Sequence, residues 1–297
     1  NDSDLFNQFK REIPPMLQGY NVKFIRGAGC NAWGDFNVAM VQSISKNLKS
    51  YQNWLSQMSI VLIDEADVID NKTYSSVITH LWNAPIRIGL SGTLYLNEAK
   101  KYEVHNMNIM QFIGPAIDKV SLKTQIEDKR ATPVVVKSIQ IEPPKNIDIE
   151  SLTEYQNQYK EIIMNEHSYD QICQRIAFNL GYDRTPMLIV VKFINHCEKL
   201  SAYIKNWAQS QGLSIRVAHV HHKSINRNQI LDNFREGKID LLVATTIISR
   251  GKNFPDLKYL MNAACMDAHE KTIQILGRLV RLSASKKKTY LDDICYP

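Results

Sequence analysis

The chain has 297 residues, of which 44% are hydrophobic and 22% charged, and a formal net charge of +6. That length accommodates two ordinary domains, and the composition is that of a globular chain rather than a disordered or fibrous one. No apolar run approaches the roughly 18 residues of a membrane helix and no signal-peptide pattern opens the chain. The five cysteines are scattered and lack a C-x-x-C pair, which argues against a disulfide framework or a cysteine–zinc site. A reducing, cytoplasmic compartment without a membrane partner is expected. Of the formal charge, residues 131–297 hold +5 (22 basic against 17 acidic) and residues 1–130 hold +1 (14 against 13). That balance suits nucleic acid and an ordinary solvated surface equally.

Short β-branched runs alternate with helical patterns along nearly the whole chain, which predicts α/β units with mostly parallel sheets. The chain begins at Asn1 inside the helical pattern "SDLFNQFKREI", so an incomplete product is expected. Predicted strands follow at 21–27, 36–44 ("FNVAMVQSI"), 59–66 and 86–92, with a helix over 75–83. The segment 118–133 turns polar and ends at a proline, and domains are expected over 1–130 and 131–297. Beyond it, strands are predicted at 132–142, 186–193, 214–220, 240–246 and 259–265, and helices over 151–180, 195–211 and 224–237. Runs such as "LIVV" and "LLVA" suit a sheet covered on both faces.

The stretch "VLIDEAD" (61–67) drives an apolar strand into Asp64, Glu65 and Asp67. Carboxylates so close repel one another unless a cation lies among them. An Asp-Glu pair at a strand's carboxyl end suits a nucleotide site, with Asp64 on the magnesium of a nucleoside triphosphate and Glu65 polarising the attacking water. Taken alone, it reads equally as an acidic surface patch. "GLSGT" (89–93) ends a second buried strand in Ser91, Gly92 and Thr93. "ATTIISRGKNFP" (244–255) ends another in Thr245 and Thr246, with Arg250 and Gly251 in the next turn. "QILGRLVR" (274–281) spaces Gln274, Arg278 and Arg281 along one helical face.

With these motifs in this order, the chain resembles the superfamily-two helicases and translocases over essentially its whole length. "DEAD" resembles their Walker B motif, "SGT" their coupling motif, "ATTIISRG" their motif V and "QILGRLVR" their motif VI. Within the family it looks most like the phage UvsW-type DNA helicases, with RecG and the XPB-like group as looser relatives. The resemblance implies two tandem RecA-like α/β domains, the first incomplete at its N-terminus, with ATP and Mg2+ bound in the cleft between them. Asp64 and Glu65 would serve Mg-ATP. Gln274, Arg278 and Arg281 would act on the water and γ-phosphate. Gly251 and Asn253 would lie at the nucleotide, and Ser91, Gly92 and Thr93 would couple hydrolysis to movement. Gln42, Ser43, Thr245 and Thr246 would hold the DNA backbone without reading its sequence.

The implied activity is that of an ATP-dependent DNA helicase or translocase acting on single-stranded, duplex or branched DNA in recombination, repair or replication. A monomer is expected, in the host cytoplasm if phage-encoded. Two alternatives stand beside it. One is an RNA helicase of the DEAD-box type, disfavoured by Gln274 where that group usually has His. The other is a nucleic-acid-binding module that has lost its ATPase. No G-x-x-x-x-G-K-[ST] loop occurs, and "GAG" (27–29) is too short to be one, so these residues alone are expected to be inactive in ATP hydrolysis. "HVHH" (219–222) sends His219 and His221 to one side of a strand, with no carboxylate in the neighbouring sequence to complete a metal set. "SKKK" (285–288) reads as a solvated charge run.

Overall fold

The computed structural model describes residues 2–27, 33–92, 104–145, 155–246, 254–265 and 276–295. The chain divides into two compact units, Asn1–Lys119 and Val120–Pro297. No helix among the described residues is long and apolar enough to cross a membrane.

In the first unit, α1 (Asp2–Met16) precedes β1 (Val22–Ile25), which pairs in parallel with β2 (Phe36–Ala39). The strand expected over 36–44 stops at Ala39, and α2 (Val41–Lys46) takes its place. The Met40 amide closes the ladder on the Ile25 carbonyl, while the Met40 carbonyl receives the Ser43 and Ile44 amides and starts the helix. Helix α2 buries Ser43 and Ile44. Then come α3 (Leu48–Ser56), β3 (Ile60–Asp64), a 3-10 turn (Ala66–Val68), α4 (Lys72–Ile78), β4 (Ile86–Leu90) and α5 (Val104–Ile113). Asn71 caps α4 by accepting the Thr73 and Tyr74 amides at 3.1 Å, which satisfies donors the helix cannot.

Strands β3 and β4 pair in parallel, and alternation gives their sheet two faces. Val61 and Ile63 pack on a core that includes Trp54, Leu55, Ala66 and Phe112. The opposite face exposes Ile60, Leu62, Ile86, Ile88 and Leu90. Gly89 is fixed by packing: an added Cβ would lie 2.9 Å from the Ala66 Cβ and 2.2 Å from the Ile113 Cδ1.

The second unit holds α6 (Leu122–Glu127), β5 (Val134–Gln140), α7 (Tyr155–Ile163), α8 (Glu166–Gly181), β6 (Met187–Val191) and α9 (Ile194–Ser210). It continues through β7 (Val217–Val220), α10 (Arg227–Arg235), β8 (Leu241–Thr245), β9 (Tyr259–Asn262) and β10 (Thr289–Cys295). The units part at Lys119 and Val120, where the sequence suggested 130 and 131. Helix α6 leads into the second unit because the Arg130 and Ala131 amides fold back on the Gln125 carbonyl, and the Thr132 amide then bonds the Val280 carbonyl. The helix expected over 151–180 is broken at Asn165, whose side chain caps α8 by accepting the Ser168 amide at 2.9 Å.

All six strands of this unit run parallel in the order β5-β10-β9-β6-β8-β7. Along β6, Met187, Ile189 and Val191 enter one core cluster while Leu188 and Val190 enter the other. Strand β8 divides Leu241 and Val243 from Leu242 and Ala244 in the same way. That two-sided burial is why both strands read as unbroken apolar runs. Strand β10 was not foreseen, because "TYLDDIC" carries two acids into the sheet. Asp292, 3% exposed, accepts Arg175 at 2.6 and 3.0 Å and the Tyr259 hydroxyl at 2.8 Å; Asp293 accepts the Asn262 amide at 2.8 Å.

Candidate functional site

In the first unit, β3 ends on Asp64, an exposed carboxylate whose Oδ1 accepts the Glu65 amide at 3.0 Å. Glu65 adopts a left-handed conformation (φ 53°, ψ 52°), which turns the chain sharply into the 3-10 turn. A non-glycine residue there costs on the order of 1–2 kcal/mol and is found where a site needs it. Two residues on, Asp67 Oδ1 accepts the Ser91 hydroxyl at 2.8 Å. This bond joins the segment after β3 to the segment after β4, so "DEAD" and "SG" form one connected edge. The sequence named Ser91 but gave Asp67 no partner. Asp70 is tied in turn to α5 by the Asn108 amide at 2.6 Å. Gly92 follows Ser91 with no atom within 4 Å of where a Cβ would stand, and Thr93 lies outside the described residues.

Gln42 and Ser43 sit on α2 rather than on a strand. The Ser43 hydroxyl accepts the Gly27 amide at 2.8 Å and is largely buried, so it holds the turn after β1.

In the second unit, Thr245 closes β8 at 6% exposure and Thr246 is half-buried in the residue after it. The buried Cys197 of α9 donates its thiol to the Val243 carbonyl nearby, and burial raises its pKa to about 12, so it is a packing group rather than a nucleophile. Gly251, Asn253 and Gln274 lie outside the described residues.

Arg278 and Arg281 are half-buried on a helical turn over 276–279 and just past it. Three carbonyls at the end of that turn are satisfied from outside it. Lys286 Nζ donates to the Leu279 carbonyl at 2.7 Å, the Thr132 amide to Val280 at 2.7 Å and the Thr132 hydroxyl to Arg281 at 3.0 Å. Lys286 also reaches the Leu257 carbonyl at 3.1 Å and is 7% exposed. The solvated charge run expected at 285–288 is therefore corrected at Lys286, which is a buried clamp on the arginine turn. Burial pulls its pKa down to about 8, against the opposing pull of Asp256. Asp256 is itself held low by the hydroxyls of Ser283 and Ser285.

The reading of "HVHH" is also corrected. His219 and His221 lie on one side as the alternation predicts, with rings 5.8 Å apart. The carboxylate absent from the neighbouring sequence comes from α9, where Glu198 Oε1 lies 3.1 Å from His221 Nε2.

Residues 161–283 match the helicase conserved C-terminal domain family. A protein of Sulfolobus islandicus filamentous virus named as a helicase is 24% identical over all of this chain and 54% of its own length. The ATP-dependent DNA helicase uvsW of Enterobacteria phage T4 is 23% identical over 80% of this chain and 46% of its own length. The helicase domain of Pyrococcus furiosus Hef shares the fold at a TM-score of 0.56 and 12% identity, covering 98% of this chain and 83% of that one. The chain thus spans about half the length of the curated relatives it matches. The chain is similar to proteins named as helicases, the phage uvsW helicase among them, and its residues 161–283 match the helicase conserved C-terminal domain.

Proposed function

We propose that this chain is the motor portion of an ATP-dependent DNA helicase or translocase that remodels branched or duplex DNA in recombination, repair or replication. The observation that supports it most is the Ser91–Asp67 bond, which ties the turn after β4 to the acidic turn beginning at Asp64. A change at Asp64 or Glu65 reaches the segment after β4 through that bond, which is what coupling a nucleotide to movement needs.

Asp64, an exposed oxygen donor at the carboxyl end of a parallel strand, fits magnesium, a cation that takes few protein carboxylates and keeps its waters. Bound Mg-ATP supplies a phosphoryl group for transfer to water. Glu65 orients that water together with Gln274. Arg278 and Arg281 neutralise charge spread over the phosphoryl oxygens, a contribution of ~10³-fold or more in rate. Gly251 and Asn253 lie along the nucleotide, and Thr93 joins Ser91 and Gly92 in coupling. Gln42, Ser43, Thr245 and Thr246 hold the strand by its phosphates. The division of the parent into RecA-like domains near residue 130 belongs to the same reading, as does the need for a phosphate-binding loop that this sequence does not contain.

The test is DNA-stimulated ATP hydrolysis by the full-length protein that carries this chain, with Glu65→Gln and Arg281→Ala as variants. Hydrolysis that rises with DNA and collapses in both variants is expected. DNA binding without hydrolysis would make the chain a motor-derived binding module, and stimulation by RNA alone would make it an RNA helicase.

A further inference from the structure

We infer that Glu198, His219 and His221 form a binding site for a single divalent transition-metal ion of the zinc class. The three come from two segments of chain. His219 is on β7, His221 is one residue past its end, and Glu198 is on α9. One ligating atom from each lies within 4.8 Å of the other two. A tetrahedral ion with ligands at about 2.0–2.1 Å spaces its donors about 3.4 Å apart. The Glu198–His221 separation of 3.1 Å already matches that edge. The remaining separations, at most 4.8 Å, exceed that edge by no more than about 1.4 Å. Two imidazoles and one carboxylate are the donor set zinc takes when a fourth position stays open.

Partial burial, followed by the nearby Lys205 and His221, lowers the His219 pKa, with Glu198 opposing. His221 is held by its main chain: its amide donates to the Ser224 hydroxyl at 3.0 Å, and its carbonyl accepts the Ser224 amide at 3.1 Å. A Glu198–His221 hydrogen bond alone would account for two of the three groups. It gives no reason for the second imidazole, stacked at 12° on the first.

The proton inventory is definite. His221 Nδ1 accepts the Lys223 amide at 3.2 Å, so the ring proton of the neutral form sits on Nε2 and is donated to Glu198. Ligation through Nε2 moves that proton to Nδ1 and frees the Lys223 amide. Starting from the neutral ring, this exchange neither gains nor loses a proton. Metal binding is therefore readable as a tautomer change, independent of any catalytic activity.

The test is titration of the metal-stripped full chain with Zn2+, and with Co2+ for its visible absorption, alongside 15N spectra of the histidines. One ion per chain is expected, with tetrahedral Co2+ bands and His221 passing from the Nε2–H to the Nδ1–H form. Glu198→Gln and His219→Ala should each weaken binding by about 100-fold or more, while His222→Ala leaves it unchanged. Glu198→Gln keeps shape at a half-exposed site, so the test survives even if His219→Ala disturbs folding. Equal binding in the Glu198 and His219 variants would mean an adventitious ion only. An unchanged His221 tautomer at saturating Zn2+ would also overturn the site.

Discussion

Gly89→Ala should destabilise the first unit by about 2 kcal/mol, and the contacts identify where the strain goes. The new Cβ would lie 2.2 Å from Ile113 Cδ1 and 2.9 Å from Ala66 Cβ, against an ordinary carbon–carbon contact of about 3.5–4.0 Å. The isoleucine terminus can rotate away. Ala66 cannot, because it is fully buried and directly follows the left-handed Glu65. The cost thus falls in the range of ~1–3 kcal/mol for one methyl forced into a packed site. The assay is urea unfolding of the whole chain followed by tryptophan fluorescence, with Trp54 and Trp82 reporting on the first unit. Added to Gly89→Ala, Ile113→Val should recover part of the loss and Ala66→Gly most of the remainder, giving a coupling energy above about 0.5 kcal/mol. An unchanged midpoint in Gly89→Ala, or full rescue by Ile113→Val alone, would refute the claim that Ala66 sets the limit.

Three further outcomes are expected. His196 is fully buried, its pKa pulled down to about 3 by burial, and its Nδ1 lies 2.7 Å from the Tyr159 hydroxyl. The folded pKa is depressed below the ordinary 6.5, so this stability is complete above pH 6.5 and is lost as pH falls from there toward 3. The slope is about 1.4 kcal/mol per pH unit, and His196→Asn should flatten it in urea midpoints of the second unit at pH 7, 6 and 5. Asp292→Asn leaves the partly exposed Arg175 of α8 without its charge partner on β10 and should cost about 3 kcal/mol, measured by thermal unfolding at pH 7. Lys286 carries the same sign as His196 in a higher pH window: the penalty for its buried ammonium is complete below about pH 8 and disappears as pH rises toward 10.5. Lys286→Met should abolish that rise in stability between pH 8 and 10.

The strands were legible wherever burial alone decided them. "LIVV" and "LLVA" announce β6 and β8 because a parallel sheet covered on both faces offers every side chain an apolar neighbour. The end of β3 at Asp64 was legible because the apolar run before it gives way to the acidic residues there. The sequence could not show α2 inside "FNVAMVQSI", because its alternation fits a strand until Met40 leaves the ladder. The larger gap concerns charge. "TYLDDIC" enters the sheet because Arg175, 117 positions away, and Tyr259, 33 away, pair with Asp292. Lys286 is buried because the carbonyls of Leu279 and Leu257 converge on it, and Glu198 reaches His221 because α9 packs against β7. Apolar burial is a property of the residue and survives in the sequence. A charged group is buried or solvated according to the partner that meets it, and that partner is chosen only when distant segments fold together.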